Sequence, residues 1–183
     1  TVVLASASTR RSQLLHSVGL AFEVVPADID ESKFTGTTPR QIACELAEAK
    51  AQVVAERRPD AVVLAADTIV VVESDSGDSV ILGKPGNEAE AEQMLGMLQG
   101  REHSVITGYC LLCKSSERRT CDAVVSRVRF KELSLNGIRR YIATGEPMDK
   151  AGAYGIQEVG AFLVQSVHGS YTNVVGLPLS EVV

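Results

Sequence analysis

The stretch AVVLAADTIVVVE, residues 61–73, decides the architecture. It is rich in β-branched and aliphatic residues and too apolar for the edge of a sheet, so it reads as an interior strand. Working outward, TPRQIACELAEAKAQVVAERR at 38–58 reads as a helix. Thr38 caps it, Pro39 opens its first turn, Gln41 completes a capping box, and Ile42, Leu46, Ala49 and Val53 form its apolar stripe. On the other side, ESDSGDS at 73–79 is a turn and VILG at 80–83 returns.

The alternation continues in both directions. TVVLA at 1–5 is a short strand, and Ser8 caps a helix with Leu14, Leu15 and Val18 inward and Gly19 as its stop. AFEVVPA at 21–27 is a second strand leading to the acidic turn DIDES. NEAEAEQMLGMLQG at 87–100 is a capped amphipathic helix ending at Gly100. HSVITGYCLLCK at 103–114 and TCDAVVSRVRFKEL at 120–133 are long strands joined by SSERR, SLNGIRRYIATG is a helix, and the remainder is glycine-rich. The pattern predicts one α/β domain over 1–183, a mixed sheet with helices on its faces.

The 183 residues, 45% hydrophobic, suffice for a real core. A net charge of −5 argues against nucleic-acid binding through a basic face. No apolar run is long enough to span a bilayer, and the first residues carry no signal-peptide pattern. The Cys110–Cys113 pair resembles a metal-binding CxxC, but residues three apart on a strand face opposite sides. Reduced, packed thiols in a cytosolic protein are expected instead.

Several charged residues do not suit a bland reading. Asp67 lies inside the apolar strand, where a carboxylate is costly unless paired, metal-bound or used as a base. Arg10 and Arg11 occupy the first turn of a helix, an unfavourable place for cations. With Ser6, Ser8 and the first-turn N–H groups they would form a phosphate cradle, the plain alternative being a solvated surface pair. Lys84, in ILGKPGNEAE, is either a phosphate contact or a solvated loop lysine. The surrounding GDSVILGKP is no Walker loop, because its spacing is off by one and Pro85 replaces the hydroxyl residue. Asp30 and Glu31 form either an ordinary acidic loop or, with Asp67, an oxygen site for Mg²⁺. Gln157 offers a donor and an acceptor suited to a base edge. Lys50, taken alone, reads as solvated, and His16, His103 and His168 as structural. Local cations, carboxylates and a glycine-rich tail point to a metal-assisted site for a polyphosphate.

Seven segments in order, LASASTRR, ADIDES, LAEAKA, AADTIV, LGKP, EPMDKAGAYGIQ and GSYTNVVGLPL, resemble the Maf family of nucleoside triphosphate pyrophosphatases. The resemblance implies a fold like the inosine triphosphate pyrophosphatases: an elongated mixed sheet flanked by helices, in two lobes around a cleft. It implies hydrolysis of a nucleoside triphosphate to monophosphate and pyrophosphate with Mg²⁺ (Mn²⁺ or Co²⁺ as substitutes). It assigns Asp67 as general base, Glu31 and Asp67 to the metal, and Ser6, Arg10, Arg11, Lys50 and Lys84 to phosphates. Specificity positions fall on Arg10, Thr68 and Gln157. The tail resembles the branch acting on dTTP and UTP, in a house-cleaning role, as a cytoplasmic homodimer without nucleic-acid or membrane partners. A nucleotide-binding regulator of cell division without significant turnover is the alternative. Two departures stand out: Thr9 where the family usually has Pro, and Glu158 where it usually has Gly.

Overall fold

The computed structural model describes every residue except Thr35, Thr37 and Asp75, and excludes the side chain of Ser32. The expected turn at 73–79 therefore lies partly outside the described residues. Seven strands, β1 (Val2–Leu4), β2 (Glu23–Val24), β3 (Val62–Glu73), β4 (Ser79–Leu82), β5 (Glu102–Cys113), β6 (Arg118–Phe130) and β7 (Val164–His168), form one mixed sheet. Its order is β2-β1-β3-β5-β6-β7, with β4 also on β3. The α/β class and the interior position of β3 are as the sequence indicates. β1 is parallel to both β2 and β3, in register Leu4 to Leu64, while β4 and β7 run antiparallel to β3 and β6.

The helices are α1 (Thr9–Ser17), α2 (Pro39–Arg57), α3 (Glu88–Leu98), α4 (Leu135–Ile142), α5 (Tyr171–Val175) and α6 (Leu179–Val182). Ser8, Thr38, Asn87 and Ser134 each accept the first-turn N–H that a capping side chain should take. None of the described helices is long and apolar enough to cross a membrane.

The chain divides into two units, one of Thr1–Thr68, Ile106–Val124 and Thr172–Val183, the other of Ile69–Val105 and Val125–Tyr171. In the first, Val3, Ala5, Ala61, Val63, Ala65 and Cys110 pack with Ala47, Ala51, Val54 and Ala55 of α2. In the second, His103, Phe130 and Tyr154 meet edge to face, with ring centroids 4.6–5.3 Å apart.

Four expectations need correction. The buried face of α2 is Ala43, Leu46, Ala47, Ala51, Val54 and Ala55, so Ile42, Ala49 and Val53 lie at its margin. The cause is Gly108 on β5: a Cβ there would sit 2.1 Å from the carbonyl oxygen of Ala43, so α2 presents its smallest side chains to the sheet. Val18 is exposed, because α1 ends at Ser17 and the chain turns away at Gly19. Cys110 and Cys121 are joined by a disulfide between neighbouring strands β5 and β6, which corrects the expectation of reduced thiols there; Cys44 and Cys113 are free. The glycine-rich tail hides β7 and α5, and the acidic turn contains a 3₁₀ turn at Glu31–Lys33.

Candidate active site

Successive residues of a strand face opposite sides of its sheet, and β3 uses this to divide a site between two faces. Ala61, Val63 and Ala65 face the α2 core, so Asp67 falls on the α2 side and Thr68 on the other. β1 pairs with β3 only as far as Leu64 and then turns into α1. Asp67 and Thr68 therefore lie beyond the last β1–β3 register pair, at the carboxyl end of the parallel strands, where ligands of open α/β sheets bind.

On the α2 side, Asp67 is 8% exposed and its Oδ1 accepts a hydrogen bond from Lys50 Nζ at 2.6 Å. The same ammonium lies 2.6 Å from Glu31 Oε1. Lys50 reaches both because it lies in the helical row Ala43, Ala47, Lys50, Val54, which belongs to the small-residue face. Its side chain is only 12% exposed, so the solvated reading of Lys50 is corrected. Asp30 instead pairs with Lys33 at 3.4 Å on the surface of the 3₁₀ turn. Among the described residues no three His, Cys, Asp or Glu side chains are grouped to hold a metal, so the oxygen donors that converge are Glu31 and Asp67.

On the opposite side stands Arg11. Its Nε donates to the Gly176 carbonyl at 2.8 Å, Nη1 to Ser6 Oγ at 3.2 Å and Nη2 to Thr68 Oγ1 at 3.2 Å. These bonds hold a cation in the first turn of α1 against the helix dipole. All three partners are neutral, so the guanidinium is fixed in place without a carboxylate on it. Burial pushes Arg11 below its ordinary pKa and neighbouring Arg10 adds to that, while Asp67 and Glu31 oppose it. An arginine in such a place stays protonated at neutral pH. Ser6 also accepts from the Ser8 N–H, and Ser8 Oγ caps α1 by accepting from the Arg11 N–H, which leaves its own proton to donate.

Two residues the sequence did not point to complete this side. Thr68 Oγ1 is 2.8 Å from Thr107 Oγ1, and Thr107 Oγ1 donates to the Asn173 carbonyl at 3.0 Å. Since Thr107 has spent its one proton, Thr68 must be the donor between them. The chain of bonds runs Arg11, Thr68, Thr107, Asn173 in one direction. Both newcomers are fully buried neutral side chains, and neither alternation in VITGYC for Thr107 nor the short segment YTNVV for Asn173 gives a signal.

The first unit thus gathers Ser6, Arg11 and Thr68 into one contact group and Glu31, Lys50 and Asp67 into another on the opposite face of β3, with Arg10 next to Arg11 and half-buried. Lys84 and Gln157 belong to the second unit. Lys84 is exposed between β4 and α3 and forms no ion pair among the described residues; Gln157 is half-buried.

The family model for Maf-like protein matches residues 1–183. Relatives named dTTP/UTP pyrophosphatase include one from Syntrophus aciditrophicus, 48% identical over all of this chain and 86% of its own. One from Syntrophotalea carbinolica is 51% identical over 100% and 81%, and one from Clostridioides difficile 44% identical over 98% and 90%. Among solved structures, a HAM1 protein from Coxiella burnetii matches with a TM-score of 0.45 and 20% identity, over 70% of this chain and 72% of its own. With the family model matched from first residue to last and relatives at about half identity along the whole chain, this protein belongs to the Maf family.

Proposed function

We propose that this chain hydrolyses dTTP and UTP, with modified pyrimidine nucleotides as further substrates, to the nucleoside monophosphate and pyrophosphate. The observation that carries the reading is Lys50 clasping Asp67 and Glu31 at the same carboxyl end of the sheet that holds Arg11. A phosphoanhydride is cleaved by aligning it, neutralising its charge and aiming a water. Asp67 takes the proton of a water whose oxygen attacks the α-phosphorus, and the α–β bridging oxygen leaves with pyrophosphate. Lys50 fixes the direction in which that carboxylate points. Arg11, already oriented by neutral acceptors, gives its charge to phosphate oxygens, with Ser6, Arg10 and Lys84 as further contacts. Thr68, Arg10 and Gln157 act in nucleotide selection.

Glu31 and Asp67 are hard oxygen donors, and Mg²⁺ is commonly held by one or two carboxylates plus substrate phosphates, so the residues suit such an ion, with Mn²⁺ or Co²⁺ as substitutes. When bound, a divalent ion supplies charge neutralisation at the phosphate oxygens. The proposal includes a cytoplasmic homodimer, for which sedimentation gives the mass.

The test is pyrophosphate release from dTTP, UTP, CTP, GTP, ITP and 7-methyl-GTP, each with Mg²⁺ and with EDTA. Metal-dependent release from dTTP and UTP is expected. Asp67→Asn is expected to abolish turnover while nucleotide binding largely survives. Unchanged turnover in that variant refutes the mechanism, and binding without product in the parent favours the non-catalytic regulator.

A further inference from the structure

The segment that carries Gln157 is held by a side-chain clamp within the second unit. Glu146 Oε1 accepts from the Tyr141 hydroxyl at 2.9 Å and from the Gly160 N–H at 2.9 Å. Glu146 Oε2 accepts from the Val159 N–H at 3.0 Å. The Tyr141 hydroxyl in turn accepts from the Gly155 N–H at 3.1 Å. One carboxylate and one phenol thereby bind backbone on both sides of Gln157, two residues before it and two residues after. Bonds from N–H groups to a carboxylate are among the stronger protein hydrogen bonds. Tyr141 is 1% exposed, so this is an internal anchor. Its fit is close: a Cβ on Gly160 would lie 2.1 Å from the Gly155 carbonyl oxygen and 2.6 Å from the Tyr141 hydroxyl. The Gln157 amide itself makes no hydrogen bond among the described residues, so its donors and acceptor stay available.

We propose that Glu146 and Tyr141 are positioning residues for nucleotide selection: they hold residues 155–160 in the conformation that presents the Gln157 amide to the substrate base. This rests on the proposed role of Gln157 as a base contact. Neither residue touches the reacting atoms, so their loss should weaken nucleotide binding and leave the chemical step alone.

The experiment compares Tyr141→Phe, Glu146→Gln, Gln157→Ala and the Tyr141→Phe/Gln157→Ala double variant, measuring kcat and KM for dTTP and UTP together with Tm. Tyr141→Phe keeps the ring and its edge-to-face contact with Phe162, so it remains informative if Glu146→Gln does not fold. The expected result is a KM raised about tenfold in each single variant with kcat within about twofold. The double variant should be little worse than Gln157→Ala, because two members of one device do not add. If Gln157→Ala raises KM but Tyr141→Phe only lowers Tm, the clamp is merely structural and the proposal falls while the base contact stands. Additive effects in the double variant overturn it in the same way. If Gln157→Ala leaves KM unchanged, the base contact is wrong and the proposal goes with it.

Discussion

Gly108→Ala tests whether the approach of α2 to β5 sets the active site. The added Cβ would lie 2.1 Å from the Ala43 carbonyl oxygen, 2.3 Å from its carbonyl carbon and 2.7 Å from the Cys44 nitrogen. All three are backbone atoms, so no rotamer change relieves the clash. α2 must withdraw by about 1 Å to restore ordinary contact, and a gap of that size forfeits up to half of each dispersion contact it opens. The contacts at stake are those of Ala43, Ala47, Ala51 and Val54 with the sheet. The cost should reach the upper end of the overpacking range, about 3 kcal/mol. For a domain of this size that lowers Tm by about 6–12 °C. Lys50 lies two turns along the same helix, and its 2.6 Å bond to Asp67 would lengthen with the retreat. Its flexible stem absorbs part of the shift, so turnover should fall about tenfold rather than vanish. Gly96→Ala is the control, since a Cβ in that exposed interior position of α3 meets nothing within 4 Å. It should gain about 0.5–1 kcal/mol from helix propensity. Thermal melts and pyrophosphate release measured well below both transitions read the two effects. A Gly108→Ala protein with unchanged Tm and unchanged turnover refutes this account of the helix–sheet contact.

Three further outcomes follow from single residues. Burial in the Phe130–Tyr154 cluster pushes the His103 imidazole down to about 4, against an unfolded value of 6.5. The unfolded chain therefore takes up this proton first as pH falls, and stability is intact above pH ~6.5 and lost towards pH ~4, by about 3 kcal/mol in all; denaturant midpoints across that window should show it, and His103→Gln should flatten the slope. Glu158 sits at φ 50°, ψ −135°, a conformation suited to glycine. Glu158→Gly should raise stability by about 1 kcal/mol, or Tm by about 2–4 °C, and an unchanged or lower Tm would count against strain there. Thr107→Val should free the Thr68 hydroxyl proton and weaken its hold under Arg11, lowering kcat/KM by about tenfold, with Thr107→Ser restoring most of it; equal loss in both variants would mean packing, not the hydrogen-bond chain, is what matters.

How far the site was legible depended on what kind of signal each residue leaves in the chain. Asp67 and Arg11 were readable because each breaks a strong local rule, a carboxylate in an apolar strand and a cation at a helix N-terminus. The strands β1, β3, β5 and β6 and the caps of α1 to α3 follow patterns of one element each, and they stand where those patterns put them. Lys50 was not readable from its neighbours. In an alanine-rich helix several faces look apolar, and weight given to Ile42 and Val53 selects the wrong one. The true face is chosen by Gly108, sixty-five residues from Ala43, because only small side chains allow the backbones to approach so closely. Thr107, Asn173, Glu146 and Tyr141 leave still less signal. Each is an ordinary residue in its own element, and its role lies wholly in a partner distant in sequence or across a turn.

The division of β3 between two faces also explains why the polar segments of the first unit must occur together. Asp67 and Thr68 are consecutive, so they cannot face the same side. A carboxylate on the α2 face needs a cation from α2, which Lys50 supplies, and Glu31 from the 3₁₀ turn shares it. A hydroxyl on the other face needs support from α1 and β5, which Arg11 and Thr107 supply, and α5 closes the row through the Asn173 carbonyl. Five segments far apart in the chain are thus tied to two adjacent residues of one strand. Moving β3 by a single residue in register would exchange the faces, placing the carboxylate among the partners of Thr68 and the hydroxyl against Lys50. The apolar run before Asp67 is buried on both faces from Val63 to Ala66 and would tolerate such a slip, so what opposes it is the polar partners themselves, Lys50 on one face and Arg11 and Thr107 on the other.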